Sequence, residues 1–342
     1  MKAAIFEQPG LNNLRIMDNI KKPELTDHDV LIRIRVAGVN PIDNFVISGT
    51  LPKLIPLPNH IPGAEISGIV EEFGSHVNNN LRKGDRVIIH NKVFDGTCDM
   101  CLNGLDMICR NGGLISVITN GGFAEYISVP ERNVFKIPDN LNWDIAASLS
   151  VTSLTPYHAL REASLKINEY LLVFGASGST GMIAVQLAKK MGAKVIGVSK
   201  HNWIKESDFG GADYVINDYN RVVDQVKDIT QGKMADVVLN SLGIETWETS
   251  YASVGINGRW VTFGTLSGPD IKLNLQSLYT KQIKLIGSTG GNRKELEEVI
   301  DMAANKQLKV KVWKKFKLDN VTEAIEALSA KERDGRILLD IT

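Results

Sequence analysis

The chain has 342 residues, with 39 Lys+Arg against 39 Asp+Glu, a 43% hydrophobic fraction and a 23% charged fraction. That length suits two domains of ordinary size or one large one, and the composition excludes a disordered or fibrous protein. Zero net charge argues against a coat for nucleic acid or anionic membrane, and three cysteines exclude a disulfide framework and fit a reducing compartment.

The apolar run Ala3–Phe6 is too short for a signal-peptide core, and no stretch approaches the roughly 20 apolar residues of a membrane helix. The expectation is a soluble cytoplasmic protein. Residues 1–137 read as short strands punctuated by Gly and Pro. In Asp29–Val39 the residues Val30, Ile32, Ile34 and Val36 share one face, while Arg33 and Arg35 take the other. Ile66–Gly74, Asp85–His90, Ala124–Val129 and Val134–Ile137 repeat this pattern, which predicts a small antiparallel, barrel-like domain.

Asp144–Ala163 is a helical candidate. After it, strand candidates Tyr170–Gly175, Lys194–Val198, Asp213–Ile216, Asp236–Leu239, Arg259–Phe263 and Ile283–Ile286 are short apolar runs, as parallel strands covered on both faces require. Helical segments near 180–191, 203–209, 219–231 and 245–254 separate the first five. This rhythm predicts an α/β fold with a doubly wound parallel sheet. A helix over 293–305, a basic strand-like run, a helix over 319–330 and a strand Gly335–Asp340 close the chain, the last returning to the first domain.

Gly175-Ala176-Ser177-Gly178-Ser179-Thr180-Gly181 follows the first strand of the alternating region and opens its helix. Glycines there allow a sharp turn, a close approach of backbone to a pyrophosphate, and tight packing of helix on sheet; the helix N-terminus offers N–H groups to phosphate. The loop is read as a dinucleotide site. An acid at the end of the next strand would accept the ribose hydroxyls of NAD. Here Val198-Ser199-Lys200-His201-Asn202 has none before Glu206, and Ser199 with Lys200 suits a 2′-phosphate, so NADP(H) is expected.

All three cysteines fall between positions 98 and 109. Cys98-x2-Cys101 is a metal-ligand spacing, Cys109 adds a third sulfur, and Asp95 supplies a fourth ligand for one tetrahedral structural zinc ion. A redox pair, a labile disulfide and unliganded thiols are the competing readings. The redox motif, however, opens a helix in a βαβ setting, and this segment is a Gly/Asp-rich lobe.

Taken together, Gly63-x-Glu65-x2-Gly68-x5-Gly74, Gly84-Asp85-Arg86-Val87, the Asp95/Cys98/Cys101/Cys109 lobe, Gly175-x2-Gly178-x2-Gly181, Gly258-Arg259-x-Val261 and Gly335-Arg336-Ile337 resemble the medium-chain dehydrogenase/reductase superfamily over essentially the whole chain. The resemblance implies a GroES-like domain (1–137 and 290–342, with the lobe near 95–109) and a Rossmann domain (138–289). Zinc alcohol dehydrogenases of that family hold a catalytic zinc at positions occupied here by Asn40, Ala64 and Val151. An amide is a poor zinc ligand and the two aliphatic side chains are none. Gly38-Val39-Asn40-Pro41-Ile42-Asp43 is similar instead to zinc-independent quinone oxidoreductases and enoyl reductases. That similarity implies hydride transfer from NADPH to a quinone or activated alkene.

Without a catalytic metal, the reduced oxygen needs hydrogen-bond donors. Asn40 is the first candidate, supported by Asn44, Thr50 and Thr152; the alternative for Asn40 is that it holds the turn before Pro41. Gly49-Thr50-Leu51-Pro52 carries Leu51 where similar enoyl thioester reductases carry a proton-donating tyrosine. By family resemblance Asn240, Ser241, Gly264, Thr265 and Ser288 line the cofactor cleft. The strand Ile283–Ile286, at the sheet's outer edge, pairs copies into a homodimer or homotetramer. Two other readings remain: an enoyl-CoA reductase, such as one acting on acryloyl-CoA, and a cofactor-binding protein without turnover. A zinc-catalysed alcohol dehydrogenase is the reading least compatible with these residues.

Overall fold

The computed structural model describes residues 1–51, 55–77, 80–205 and 211–342. Pro52 of the Gly49–Pro52 stretch, Glu206 and much of the helix expected at 203–209 lie outside the described residues. Among the described residues no helix is long and apolar enough to cross a membrane. The chain forms two compact units: Met1–Val151 with Asn292–Thr342, and Thr152–Gly291.

The first unit is built on a seven-stranded sheet. Its spine, Asp29–Gly38, pairs antiparallel with Glu65–Phe73, with Tyr126–Pro130 and with the C-terminal strand Arg336–Asp340. Register shifts at Leu31/Ile32 and Ile34/Val36 bend the spine so that it serves three partners. Ile32 and Ile34 are buried in one core with Val46, Ile66, Val87 and Leu339. The basic run becomes the strand Val312–Lys317, which lies parallel to Arg336–Asp340 at the sheet's edge.

Two local expectations change. The eight-residue helix Pro41–Ser48 stands where only strands and turns were read. Its sequence signals are Asn40 as N-cap, Pro41 at the first helical position, Asp43 reaching back to the cap, and Gly49 in the left-handed conformation (φ 78°). The single helix expected over 144–163 is two, Trp143–Ala146 and Leu154–Glu162. Between them the Val151 N–H donates to the Glu65 carboxylate (2.8 Å) rather than to a carbonyl four residues back. Residues 138–151, expected in the second domain, cluster with the first unit. Arg86 explains this, because its guanidinium lies 4.0 Å from the Trp143 ring centre and donates to the carbonyls of Pro138, Asp139 and Leu141.

The second unit is a six-stranded parallel sheet in the order Tyr214–Ile216, Lys194–Val198, Tyr170–Phe174, Ala235–Leu239, Val254–Thr262, Lys284–Gly287. Order reverses beside Tyr170–Phe174, so the loop after that strand sits at the switch point where such sheets bind ligands. Ser179–Lys190 follows, burying Ile183, Val185 and Leu187. Arg259 braces the far end of the sheet, paired with Glu169 (2.6 Å) and donating to the Ala163 carbonyl (3.0 Å).

The tightest steric demand in this unit is at Gly181, where an added Cβ would collide with the Gly175 carbonyl oxygen and approach Ala176 Cα to 2.8 Å. Gly181→Ala should therefore destabilise the protein by about 1–3 kcal/mol, the usual range for overpacking, as read by chemical denaturation. Unchanged stability would show that the loop opens freely.

Candidate active site and metal lobe

In the first unit two carboxylates organise the region where a catalytic metal would sit in zinc alcohol dehydrogenases. Glu65, at the start of its strand and fully buried, pairs with Arg336, which is equally buried at the start of the C-terminal strand. The Arg336 guanidinium also donates to the Val39 carbonyl. An added Cβ at Gly38 would run into this guanidinium and come within 2.9 Å of Glu65, so glycine is required there. Asp43, also fully buried, accepts from the backbone N–H groups of Asn40 (2.8 Å) and Ala64 (2.9 Å). With Val151 N–H on Glu65, the positions Asn40, Ala64 and Val151 all hang on these two acids. The side chains at these three positions are an amide and two aliphatic groups. Burial pushes the Asp43 carboxyl up to about 7, against the pull of the two backbone donors.

Asn40 departs from its expected role. Its Nδ2 donates to the Gly38 carbonyl (3.3 Å) and to Glu65 Oε2 (3.2 Å), which uses both amide hydrogens. Reversing the amide would set its oxygen against two other oxygens, so this orientation is enforced. What remains is a carbonyl, which cannot donate to a reduced oxygen, and Asn40 together with Asp43 forms the capping box of the helix Pro41–Ser48. Asn44 is half-buried one residue beyond Asp43. Thr50 is exposed, its hydroxyl 3.1 Å from that of Ser48. Thr152 is buried at the start of the second unit.

The glycine loop of the second unit has the shape its sequence implies. Gly175 takes φ 67°, Gly178 caps the helix Ser179–Lys190, and Ala176 N–H donates to the Val198 carbonyl (3.1 Å), tying the loop to the next strand. Ser177, Ser179 and Thr180 are half-buried around a helix N-terminus whose first N–H groups lack intrahelical acceptors. Ser199, expected at a 2′-phosphate, is buried, and its hydroxyl bonds to the His201 N–H (2.9 Å) and carbonyl (3.1 Å). Lys200 is exposed beside it. Asn240 also turns inward. Its amide nitrogen donates to Thr246 and Ser250, and its oxygen accepts from Leu242 N–H and the Thr246 hydroxyl. Its side chain thus shapes the loop from within. Ser241 and Gly264 are half-buried, Thr265 is exposed, and the Ser288 hydroxyl is buried without a partner among the described residues. An orphaned hydroxyl at the end of a strand and free helix N–H groups fit a dinucleotide cofactor.

The lobe gathers Asp95, Cys98, Cys101 and Cys109 so that one ligand atom from each lies within 4.8 Å of the others; no other such group occurs among the described residues. Cys98 caps the short helix Asp99–Leu102, which carries Cys101, and Cys109 ends the turn Asp106–Ile108. The Cys98 and Cys109 sulfurs are 3.7 Å apart. Backbone N–H groups of Cys101 and Arg110 lower the Cys98 thiol, whereas burial pushes Cys101 up to about 12. A cation held among these sulfurs would deprotonate the thiols. These donors fit zinc.

Two outcomes test the acid pair. Arg336→Met should cost about 3–5 kcal/mol of stability, because Glu65 is left as an uncompensated buried charge; a loss near zero would show that the pair is solvated. Asp43 has a folded value of about 7 against an ordinary 3.8, so its contribution is full below that ordinary value, is lost as pH rises to about 7, and is flat above. The stability gap between wild type and Asp43→Asn should narrow across that window by on the order of 4 kcal/mol, as read by denaturation at each pH.

The chain matches the alcohol dehydrogenase GroES-like domain over residues 26–139 and the zinc-binding dehydrogenase domain over residues 179–305. It is 33% identical over 353 residues to an NAD-dependent alcohol dehydrogenase of Sulfolobus acidocaldarius, covering 100% of both chains. A thermostable alcohol dehydrogenase from Pyrobaculum aerophilum superposes with a TM-score of 0.92 at 35% identity, over 100% of this chain and 99% of that one. At lower identity stand an acryloyl-coenzyme A reductase of Sulfurisphaera tokodaii (28%, over 99% of each chain) and a human quinone oxidoreductase (26%, over 94% of this chain and 92% of that one). The quinone oxidoreductase branch is not singled out by these likenesses, since the relatives of higher identity bear alcohol dehydrogenase names. What they do establish, with the two-unit fold and the glycine loop, is that the chain belongs to the zinc-binding, medium-chain family of NAD(P)-dependent dehydrogenases and reductases.

Proposed function

We propose that the protein reduces quinones or small activated alkenes with NADPH, and that no metal polarises the reacting oxygen. The observation that carries this reading is the carboxylate frame: Asp43 and Glu65 hold the backbone of Asn40, Ala64 and Val151 in place, and those side chains supply no metal ligand. When bound, the nicotinamide supplies the hydride. The polypeptide then has to bind and orient the acceptor and offer hydrogen-bond donors to its oxygen. With the Asn40 amide hydrogens committed, Asn44 and Thr50 are the candidate donors in the first unit and Thr152 is the candidate in the second. A quinol oxygen takes its proton from solvent, so the absence of a tyrosine at Leu51 matters little for quinones and disfavours an enoyl thioester.

Lys200 supports NADPH over NADH as an exposed cation two residues beyond the strand Lys194–Val198, with Ser199 shaping the loop beneath it. Asp95, Cys98, Cys101 and Cys109 hold one structural zinc ion. The edge strand Lys284–Gly287 leaves one side unpaired, and Leu275, Tyr279 and Leu285 are exposed on and beside it, which suits pairing with a second copy.

The test follows NADPH oxidation against 1,4-benzoquinone, simple enones, acryloyl-CoA and simple aldehydes. Turnover of quinone or enone is expected. Aldehyde turnover that disappears when a second metal ion is removed would overturn the reading, and tight NADPH binding with no turnover of any acceptor would leave a binding protein. Lys200→Ala should raise the KM for NADPH about 10- to 100-fold, the worth of one charged hydrogen bond, with NADH little affected. Equal loss for both cofactors would remove Lys200 from the 2′-phosphate.

A further inference from the structure

The lobe's fourth ligand is a carboxylate among thiols, and a carboxylate has more ways to turn than a thiolate. We infer that Asn111 is the positioning residue that makes Asp95 a one-oxygen metal ligand, through Oδ2. This rests on the reading of the lobe as a metal site.

The count of lone pairs carries the inference. A carboxylate offers about four acceptor sites, two on each oxygen. Oδ1 of Asp95 accepts from the backbone N–H groups of Thr97 (2.8 Å) and Cys98 (3.0 Å), which fill both of its sites. Oδ2 accepts from the Asn111 amide nitrogen at 2.6 Å, which fills one of its two. The lone pair left over is on Oδ2, and one carboxylate oxygen of Asp95 lies within 4.8 Å of the three sulfurs. The main chain of Asp95 is fixed independently: its carbonyl accepts from Arg132 (2.9 Å) and its N–H donates to the Cys109 sulfur (3.4 Å). Apart from the Cys101 thiol, itself one of the lobe's ligands, Asn111 is the side chain that bonds to this carboxylate, and it holds the second oxygen in place. A cysteine at position 95 would present a single sulfur, with no second oxygen for Asn111 to orient. The dependence on Asn111 is thus specific to an acid at this position. Asn111 stands two residues beyond Cys109, where the ligand spacing alone gives no reason to single it out.

The experiment is a double-mutant cycle on metal affinity, read with the full-length protein by zinc transfer to a colorimetric chelator and by the visible spectrum of the cobalt-substituted lobe. Asn111→Ala should weaken zinc binding about 10- to 100-fold, the usual cost of losing a partner of a metal ligand, and should shift the cobalt bands. In the Asp95→Cys background the same Asn111→Ala change should have no effect on either readout. A merely structural role for Asn111 would weaken both backgrounds equally, and that result overturns the inference, as does an Asn111→Ala protein that binds zinc like wild type. If the wild-type lobe takes up neither zinc nor cobalt, or takes them up unchanged in Cys98→Ser, the metal-site reading itself fails, an outcome separate from failure of the role given to Asn111.

Discussion

The first unit depends on one buried ion pair. Glu65 and Arg336 stand 271 residues apart and meet where neither is exposed. Such a pair adds little net stability over an apolar equivalent, but removing either partner is expensive, so the pair dictates which arrangement of strands is permitted. It draws the C-terminal strand against Asp29–Gly38 and makes glycine obligatory at Gly38. Val151 N–H and the Asn40 amide also donate to Glu65. A helix is broken at one of these contacts and an asparagine is immobilised at the other.

That economy of acceptors bears directly on chemistry. Asp43 and Glu65 are where an alcohol dehydrogenase would need support for zinc ligands, yet the donors they hold are backbone N–H groups, one amide and the Arg336 guanidinium. On the proposed function, a carbonyl substrate would find no Lewis acid there, whereas an acceptor already electrophilic, such as a quinone or enone, needs only hydrogen bonds and a correctly placed hydride source. The cysteines agree with this division. All three lie in the lobe with Asp95, so no thiolate is left for a metal at the reacting oxygen.

Much of this was legible in the sequence because it is written in local patterns. Short Val/Ile runs named the parallel strands, the glycine loop named its turn, and ligand spacing named the lobe before its sulfurs were seen to converge. Long-range acceptors were not legible. Nothing near Val151 says that its N–H will serve Glu65 and split a helix, and nothing near Asn40 says that both amide hydrogens will be spent. Position alone makes Ser199 and Asn240 cofactor contacts, whereas Ser199 bonds within its own loop and Asn240 bonds Thr246 and Ser250 of the following helix. The helix Pro41–Ser48 is the opposite case: cap, proline and terminal glycine were all present, and the surrounding run of strands concealed them.

The most direct measurement is the metal content of zinc-replete protein, determined per chain together with the position of each ion by anomalous scattering. One zinc, at Asp95, Cys98, Cys101 and Cys109, is the predicted result. A second zinc beside Asn40, Ala64 and Val151 would contradict the central claim and return the protein to metal-assisted alcohol chemistry.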